Sequence, residues 1–172
     1  DLRLLALAVL IAVAAVTSVG FLADRVGRAL ERDAAQMLGA DLVVESPSAI
    51  PDAWLSHARD ADLRTVRSWQ FPSMVGGDAG LMLASLKGVE SGYPLRGALR
   101  TVTVLGGPEV TTTSAPEVGE VWVDPQILAQ TGLKIGQTLK VGDLRLTIAR
   151  AIAYEPDRGP QFVNLAPRVM LR

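Results

Sequence analysis

Few residues in this 172-residue chain are of a type that does covalent chemistry, and none has the spacing for it. The single histidine, His57, has Ala53 and Ala61 four residues to either side. No second imidazole or carboxylate therefore occupies the i+4 position that a zinc-binding helix uses. Asp60, three residues on, can at most orient the ring, and His57 is given no role. In Gly88-Val89-Glu90-Ser91-Gly92 the serine comes one place too late for the strained Gly-x-Ser-x-Gly nucleophile turn. Gly132-Leu133-Lys134-Ile135-Gly136-Gln137-Thr138 is a faint phosphate loop, one residue short between its glycines and carrying Gln137 where lysine must reach the phosphates. It also follows a helix end instead of opening a helix. No cysteine is present, which rules out a thiolate metal site and a disulfide framework and suits a reducing cytosol and a disulfide-free exterior equally. The expectation is no catalytic residue, no metal ligand and no cofactor, with any nucleotide hydrolysis belonging to another chain.

No chemistry explains the make-up of Gly92-Tyr93-Pro94-Leu95-Arg96-Gly97, which has two readings. One reading is a turn, with glycine and proline setting the backbone and Tyr93 covering the core. The other is a partner contact through Tyr93 and Arg96, because aromatic and arginine side chains dominate interface hot spots. With 17 basic and 18 acidic residues, a net charge of −1 and a pI near 5.8, the chain has no basic field for nucleic acid or anionic lipid.

What positions these residues begins at the N-terminus. Leu4 to Ala23 is an uncharged apolar run of twenty residues, roughly 30 Å long as a helix, which matches the hydrocarbon thickness of a bilayer. Only a helix or a closed barrel satisfies its backbone there. A cleavable signal peptide is the alternative; its apolar region is about 7–15 residues, and Gly20-Phe21-Leu22-Ala23 puts bulk where a peptidase needs small side chains. Ala8, Ala12 and Ala15 form a small-residue face suited to a neighbouring helix. Val26, Leu30, Ala34 and Met37/Leu38 continue the helical period as a stalk, ending near Gly39. Arg3 precedes the run while Arg25, Arg28 and Arg32 follow it among acids, so charge alone leaves the topology open. The chain starts at Asp1 and not Met, and is expected to be a piece of a longer protein.

The rest suffices for one globular domain. Ala40 to Glu45 reads as a strand, residues 51–62 as an amphipathic helix, and Thr65–Phe71, Leu81–Val89 and Arg100–Leu105 as strands. The second of these is apolar on both faces and so expected to be central. Gly106 to Gly119 reads as a loop. Val121-Trp122-Val123 leads into Asp124-Pro125, an N-cap acid and a first-turn proline, opening a short helix stopped by Gly132. Thr138–Val141 and Leu144–Ile148 flank Gly142-Asp143, a two-residue hairpin turn with one buried face. The fold class is α+β, with residues 1–40 as membrane helix and stalk and residues 41–172 as a mixed core domain ending in a β-hairpin region.

The span exit Thr17-Ser18-Val19-Gly20-Phe21 and Asp24-Arg25-Val26-Gly27-Arg28-Ala29-Leu30, then Ala40-Asp41-Leu42-Val43-Val44, Lys87-Gly88-Val89, the Gly92 to Gly97 block, Val123-Asp124-Pro125 and Gly132-Leu133-Lys134-Ile135-Gly136, resemble the permease subunits of the MacB/FtsX-like ABC transporter superfamily, most of all its YbbP-type branch. The resemblance covers nearly the whole chain. It implies an inner-membrane permease whose first span is followed by a MacB-like periplasmic core domain at residues 41–172, working beside a separate cytoplasmic ABC ATPase and in contact with membrane lipid. By family it also implies mechanotransmission, handling of hydrophobic or lipid-like molecules, and a periplasmic lysophospholipase- or esterase-like partner. With one span the chain is not expected to transport by itself, and Leu165 to Arg172 reads as mid-domain. The competing reading is a single-span periplasmic scaffold or FtsX-like regulator of a periplasmic hydrolase; an anchored enzyme comes third, against the failed motifs.

Overall fold

The computed structural model of the chain describes residues 2–78, 80–158 and 166–172, and of residues 31–37 the helical backbone only. Two compact units result, Asp1–Ala35 and Gln36–Arg172. Helix α1 runs Leu2–Leu38, 37 residues without a break, and its first part is long and apolar enough to cross a membrane. Its few hydroxyls return to the helix itself: Thr17 Oγ1 donates to the Val13 carbonyl at 2.8 Å and Ser18 Oγ to that of Ala14 at 2.6 Å. Neither needs water inside a bilayer. Past the apolar run an Asp24–Arg28 pair one turn apart adds local support. Gly39, at φ 66°, takes the left-handed conformation that ends the helix, as its position predicts. The expected continuation of the stripe through Ala34 and Met37 lies outside the described side chains.

In the second unit come α2 (Asp52–Asp60), β1 (Ser68–Gly77), β2 (Gly80–Val89), β3 (Leu99–Val102), β4 (Val110–Thr112), β5 (Glu120–Val123), α3 (Pro125–Thr131), β6 (Thr138–Val141), β7 (Leu144–Tyr154) and β8 (Arg168–Leu171). The described strands form one sheet in the order β4-β3-β7-β5-β8-β2-β1-β6, and a further β6–β7 pairing bends it into a ring. The pairs β2–β8 and β5–β7 are parallel and the others antiparallel. Closure removes the β6 edge, and strand β7 makes it possible by pairing with β6, β5 and β3 along its length. Alternation divides the side chains between two cores. Val121, Val123, Leu86, Ile148 and Val169 share one with Ile127 and Leu128 of α3. Trp122, Val89, Leu99, Ile152 and Met170 share the other with Tyr93.

The α+β class, the Asp124 cap and the hairpin turn appear as read, although the second hairpin strand runs on to Tyr154 and Leu144 on its expected buried face is 57% exposed. Asp124 Oδ1 accepts from the Gln126 N–H at 2.9 Å, Gly132 closes α3 at φ 71°, and Val141 pairs with Leu144 across the two-residue turn. Other elements depart for identifiable reasons. Ala40 to Glu45 is not a strand: it has no ladder partner, and Leu42 is 77% exposed. β-branched composition alone does not make a strand without a neighbour. Strand β1 starts later than read and runs through Pro72, which is tolerated because β6 pairs only with Val75 and Gly76, leaving the proline at a free edge. Strand β2 is interior, yet only part of it is buried. Strand β8 pairs along Ser85–Gly88 alone, so Leu81 and Leu83 remain exposed. Strand β3 is shorter than expected, and the Gly106 to Gly119 segment contains β4. Helix α2 has no buried residue, with Trp54 59% exposed.

Leu139 is fully buried on β6 where the ring closes. Leu139→Ala should lower the unfolding free energy of the chain in detergent micelles by about 2–5 kcal/mol in a urea titration. A loss under about 1 kcal/mol would contradict a packed closure at β6.

Candidate functional site

Lys87 stands in the middle of β2, opposite Met170 of β8, and is 2% exposed. A desolvated ammonium costs several kcal/mol unless it is paired and hydrogen-bonded. Each of its three protons finds an acceptor. Lys87 Nζ donates to Glu155 Oε1 at 2.7 Å, to the Asp157 carboxylate at 2.7 and 2.8 Å, and to the Tyr93 hydroxyl at 2.8 Å. Tyr93 in turn donates to Asp157 Oδ1, and its ring centroid lies 4.5 Å from Nζ. The second oxygen of Glu155 accepts from Arg168 Nε at 3.0 Å, and Arg168 Nη1 donates to Ser85 Oγ at 2.9 Å. Arg168 and Ser85 are fully buried register partners on β8 and β2. Two cations thus meet two carboxylates, and the network is neutral.

The network also secures the segment that carries it. After β7 the chain turns through Glu155, Asp157 and Arg158, and Arg158 Nη1 reaches Asp124 Oδ2 at 2.9 Å, so the α3 cap and the charge network grip the same loop. On the other side, the turn after β2 uses Gly92 and Gly97 at φ 96° and 74°, with a cis Tyr93–Pro94 bond. That turn holds the chain leaving α1. The Arg96 N–H donates to the Gly39 carbonyl at 2.8 Å, and its guanidinium makes a two-pronged bond to Asp41, with Nε and Nη2 to the carboxylate at 2.9 and 2.8 Å. Gly39 lies against Asp157, where an added Cβ would sit 3.4 Å from the Asp157 Cβ. The hydrogen bond from Arg96 and then its charge hold the Asp41 carboxyl below the usual range, and the Asp41 bond raises Arg96. Burial, followed by the Glu155 and Asp157 charges, pushes the Tyr93 hydroxyl well above the ordinary tyrosine range and keeps it neutral.

Of the two readings of Tyr93, the structure has its ring at 4% exposure in the second core, as the turn reading expects, with its hydroxyl accepting from Lys87. Arg96 keeps half of its side chain exposed while bonded to Asp41. His57 lies exposed on α2, and Ser91 in the turn after β2. The Gly132 to Gly136 segment is a connection between α3 and the hairpin, with the Gly136 N–H donating to Ile148 O at 2.7 Å. Among the described residues no group of three or more His, Cys, Asp or Glu is arranged to hold a metal. Sequence reading passed over Lys87, Glu155, Asp157 and Arg168. The available signal was a lysine inside Leu81 to Val89, a run otherwise apolar enough to be buried.

No family model matches the chain. A protein of Escherichia coli (strain K12) named as an uncharacterized ABC transporter permease, YbbP, is 32% identical over 165 residues. That similarity takes in 96% of this chain but 20% of the relative, so the chain spans about a fifth of the length of the curated protein it matches. The resemblance to a YbbP-type permease is borne out. Together with an apolar helix of spanning length, it assigns the chain to a membrane.

Lys87→Ala leaves Glu155 and Asp157 facing each other without their shared cation, and should cost about 3–5 kcal/mol in urea unfolding; a cost under 1 kcal/mol would mean the pair is not desolvated. Tyr93 gives a pH signature. Its unfolded form ionises near pH 10 while the folded form stays neutral, so its contribution is complete below that pH and declines above it. Between pH 10 and 11 the parent chain should lose about 1 kcal/mol more stability than Tyr93→Phe. Identical slopes would contradict the neutral, buried hydroxyl.

Proposed function

We propose that this chain is the first membrane helix and first extracytoplasmic domain of an ABC transporter permease subunit of the MacB/FtsX mechanotransmission type. The observation that carries the reading is the 32% identity to a named permease, running through 96% of the chain from helix to sheet. The structure adds a physical reason. Helix α1, with 37 residues, is about 55 Å long, against about 30 Å for the hydrocarbon core of a bilayer. Such a helix carries a displacement made within the membrane to the residues beyond it without a break, and rigid elements of this kind are how small shifts become domain movements.

On this reading a separate cytoplasmic ATPase supplies the motion, residues 41–172 lie in the periplasm of a bacterial inner membrane, and the chain is not itself an enzyme. The cargo is hydrophobic or lipid-like, and a lysophospholipase- or esterase-like protein works with the domain outside. Arg96, half exposed on the turn at Gly92 to Gly97, is the residue assigned to partner contact.

Two membrane preparations test the assignment. The full-length protein carrying alkaline phosphatase after Arg172 should show reporter activity with Leu4 to Ala23 retained, and the untagged protein should co-purify with a Walker A ATPase. An inactive reporter, a mature N-terminus near Asp24, or a permease free of any ATPase would overturn it.

A further inference from the structure

Helix α2 buries no residue, and one of its faces forms the wall of a polar cleft instead of an apolar seam. The cleft holds about 300 Å³, the lower end of the range for small-molecule sites. Asp52, Leu55 and Arg59, spaced three and four apart and so on one side of the helix, line it. Facing them are Thr65 and Arg67 on the approach to β1 and Glu90 at the exit of β2. Two cations and two anions make the cleft neutral as a whole.

Those charges are not equivalent. Arg67 and Glu90 satisfy each other: Arg67 Nε and Nη2 donate to Glu90 Oε1 at 2.7 and 2.6 Å, the Arg67 N–H donates to Glu90 Oε2 at 3.1 Å, and the Glu90 N–H returns to the Arg67 carbonyl at 3.1 Å. That pair fixes one wall. The groups on the other side of the account are open. Among the described residues the Asp52 carboxylate and the Thr65 hydroxyl have no partner, and Arg59 uses only its Nε, on the Leu55 carbonyl at 3.2 Å, which leaves both terminal nitrogens to donate.

An acceptor and a forked donor two turns apart on one helix, about 10 Å along its axis, suit a ligand with a cation at one end and an anion at the other. An α-amino acid is too short, because its charges sit on neighbouring atoms of one carbon. A phosphoethanolamine group places two carbons and an ester oxygen between its nitrogen and phosphorus, and Leu55, between Asp52 and Arg59 on the same wall, covers those carbons. None of the six lining residues is aromatic, so the cleft has no cage for a quaternary ammonium, whereas a primary ammonium has N–H groups for Asp52. We propose that this cleft is a binding site for a phosphoethanolamine-type zwitterion, with Asp52 accepting from the ammonium and Arg59 and Thr65 donating to the phosphate. A phospholipid headgroup and a free glycerophosphodiester both carry that chemistry. The site rests on the cleft and not on the permease reading above.

Glycerophosphoethanolamine titrated into the full-length protein in phospholipid-free detergent micelles, followed by saturation-transfer NMR, reads the site. Binding should saturate, and should be about tenfold tighter than that of glycerophosphocholine or of inorganic phosphate. Arg59→Gln should weaken it about tenfold, and Asp52→Asn should leave the two glycerophosphodiesters bound alike. Both positions are exposed, so neither substitution disturbs a core. Binding that does not saturate, a parent protein that holds the two diesters equally, or variants that bind as the parent does would overturn the site. Repeating the titration in nanodiscs names the source. Weaker apparent binding in phosphatidylethanolamine than in phosphatidylcholine bilayers supports the site with the membrane headgroup as its ligand, and equal binding supports it with the free diester.

Discussion

A lysine ammonium removed from water in the middle of a sheet is the constraint on which much of this domain depends. Lys87 lies on β2, and with its neighbours on both sides in place the chain must deliver acceptors to it. Glu155 and Asp157 come from a turn 68 and 70 residues away in sequence, and Tyr93 from a turn six residues away. Glu155 then has to be shared with Arg168, which fixes the start of β8 against Ser85. Buried ion pairs of this kind are poor sources of net stability, since well-packed apolar residues of the same volume often do as well. What they impose is geometry: the network accepts one arrangement of β2, β8, the Tyr93 turn and the Glu155 loop, and penalises the rest.

The sheet's curvature supplies the frame for that geometry. With β7 pairing along its length to β6, β5 and β3, the strands form a ring around Val121, Val123, Ile148 and Val169, and α3 adds Ile127 and Leu128 to the same core. The opposite face of β5, β8 and β2 then carries the second core, and the charge network lies on that side beside Trp122 and Met170. The segment leaving the membrane helix is received on this face. Gly39 lies beside Asp157, which is held by a Lys87 ammonium that has no spare donor.

Local signals were legible and long-range ones were not. The apolar run of α1, the Gly39 stop, the Asp124-Pro125 cap with its Gly132 end, and the Gly142-Asp143 turn each depend on residues within one or two turns of chain, and each is found as the sequence predicts. The failures share a cause. Ala40 to Glu45 has strand composition but no neighbour to pair with, β4 lies inside a loop-like composition because β3 happens to run beside it, and β8 is a four-residue strand whose central position depends entirely on β2 and β5. The same limit hid the candidate site. Lys87 was visible as one charge in an apolar strand, but its partners are set by topology, and Tyr93 was divided between core and surface until its hydroxyl acquired a role.

The central claim is that the Lys87 charge organises the groups around it, and a double-mutant cycle between Lys87→Met and Glu155→Gln tests it most directly. If the claim holds, removing the cation alone strands a buried carboxylate, so the double variant should be more stable than the sum of the single losses requires, with a coupling of about 0.5–3 kcal/mol. Strictly additive losses would contradict it.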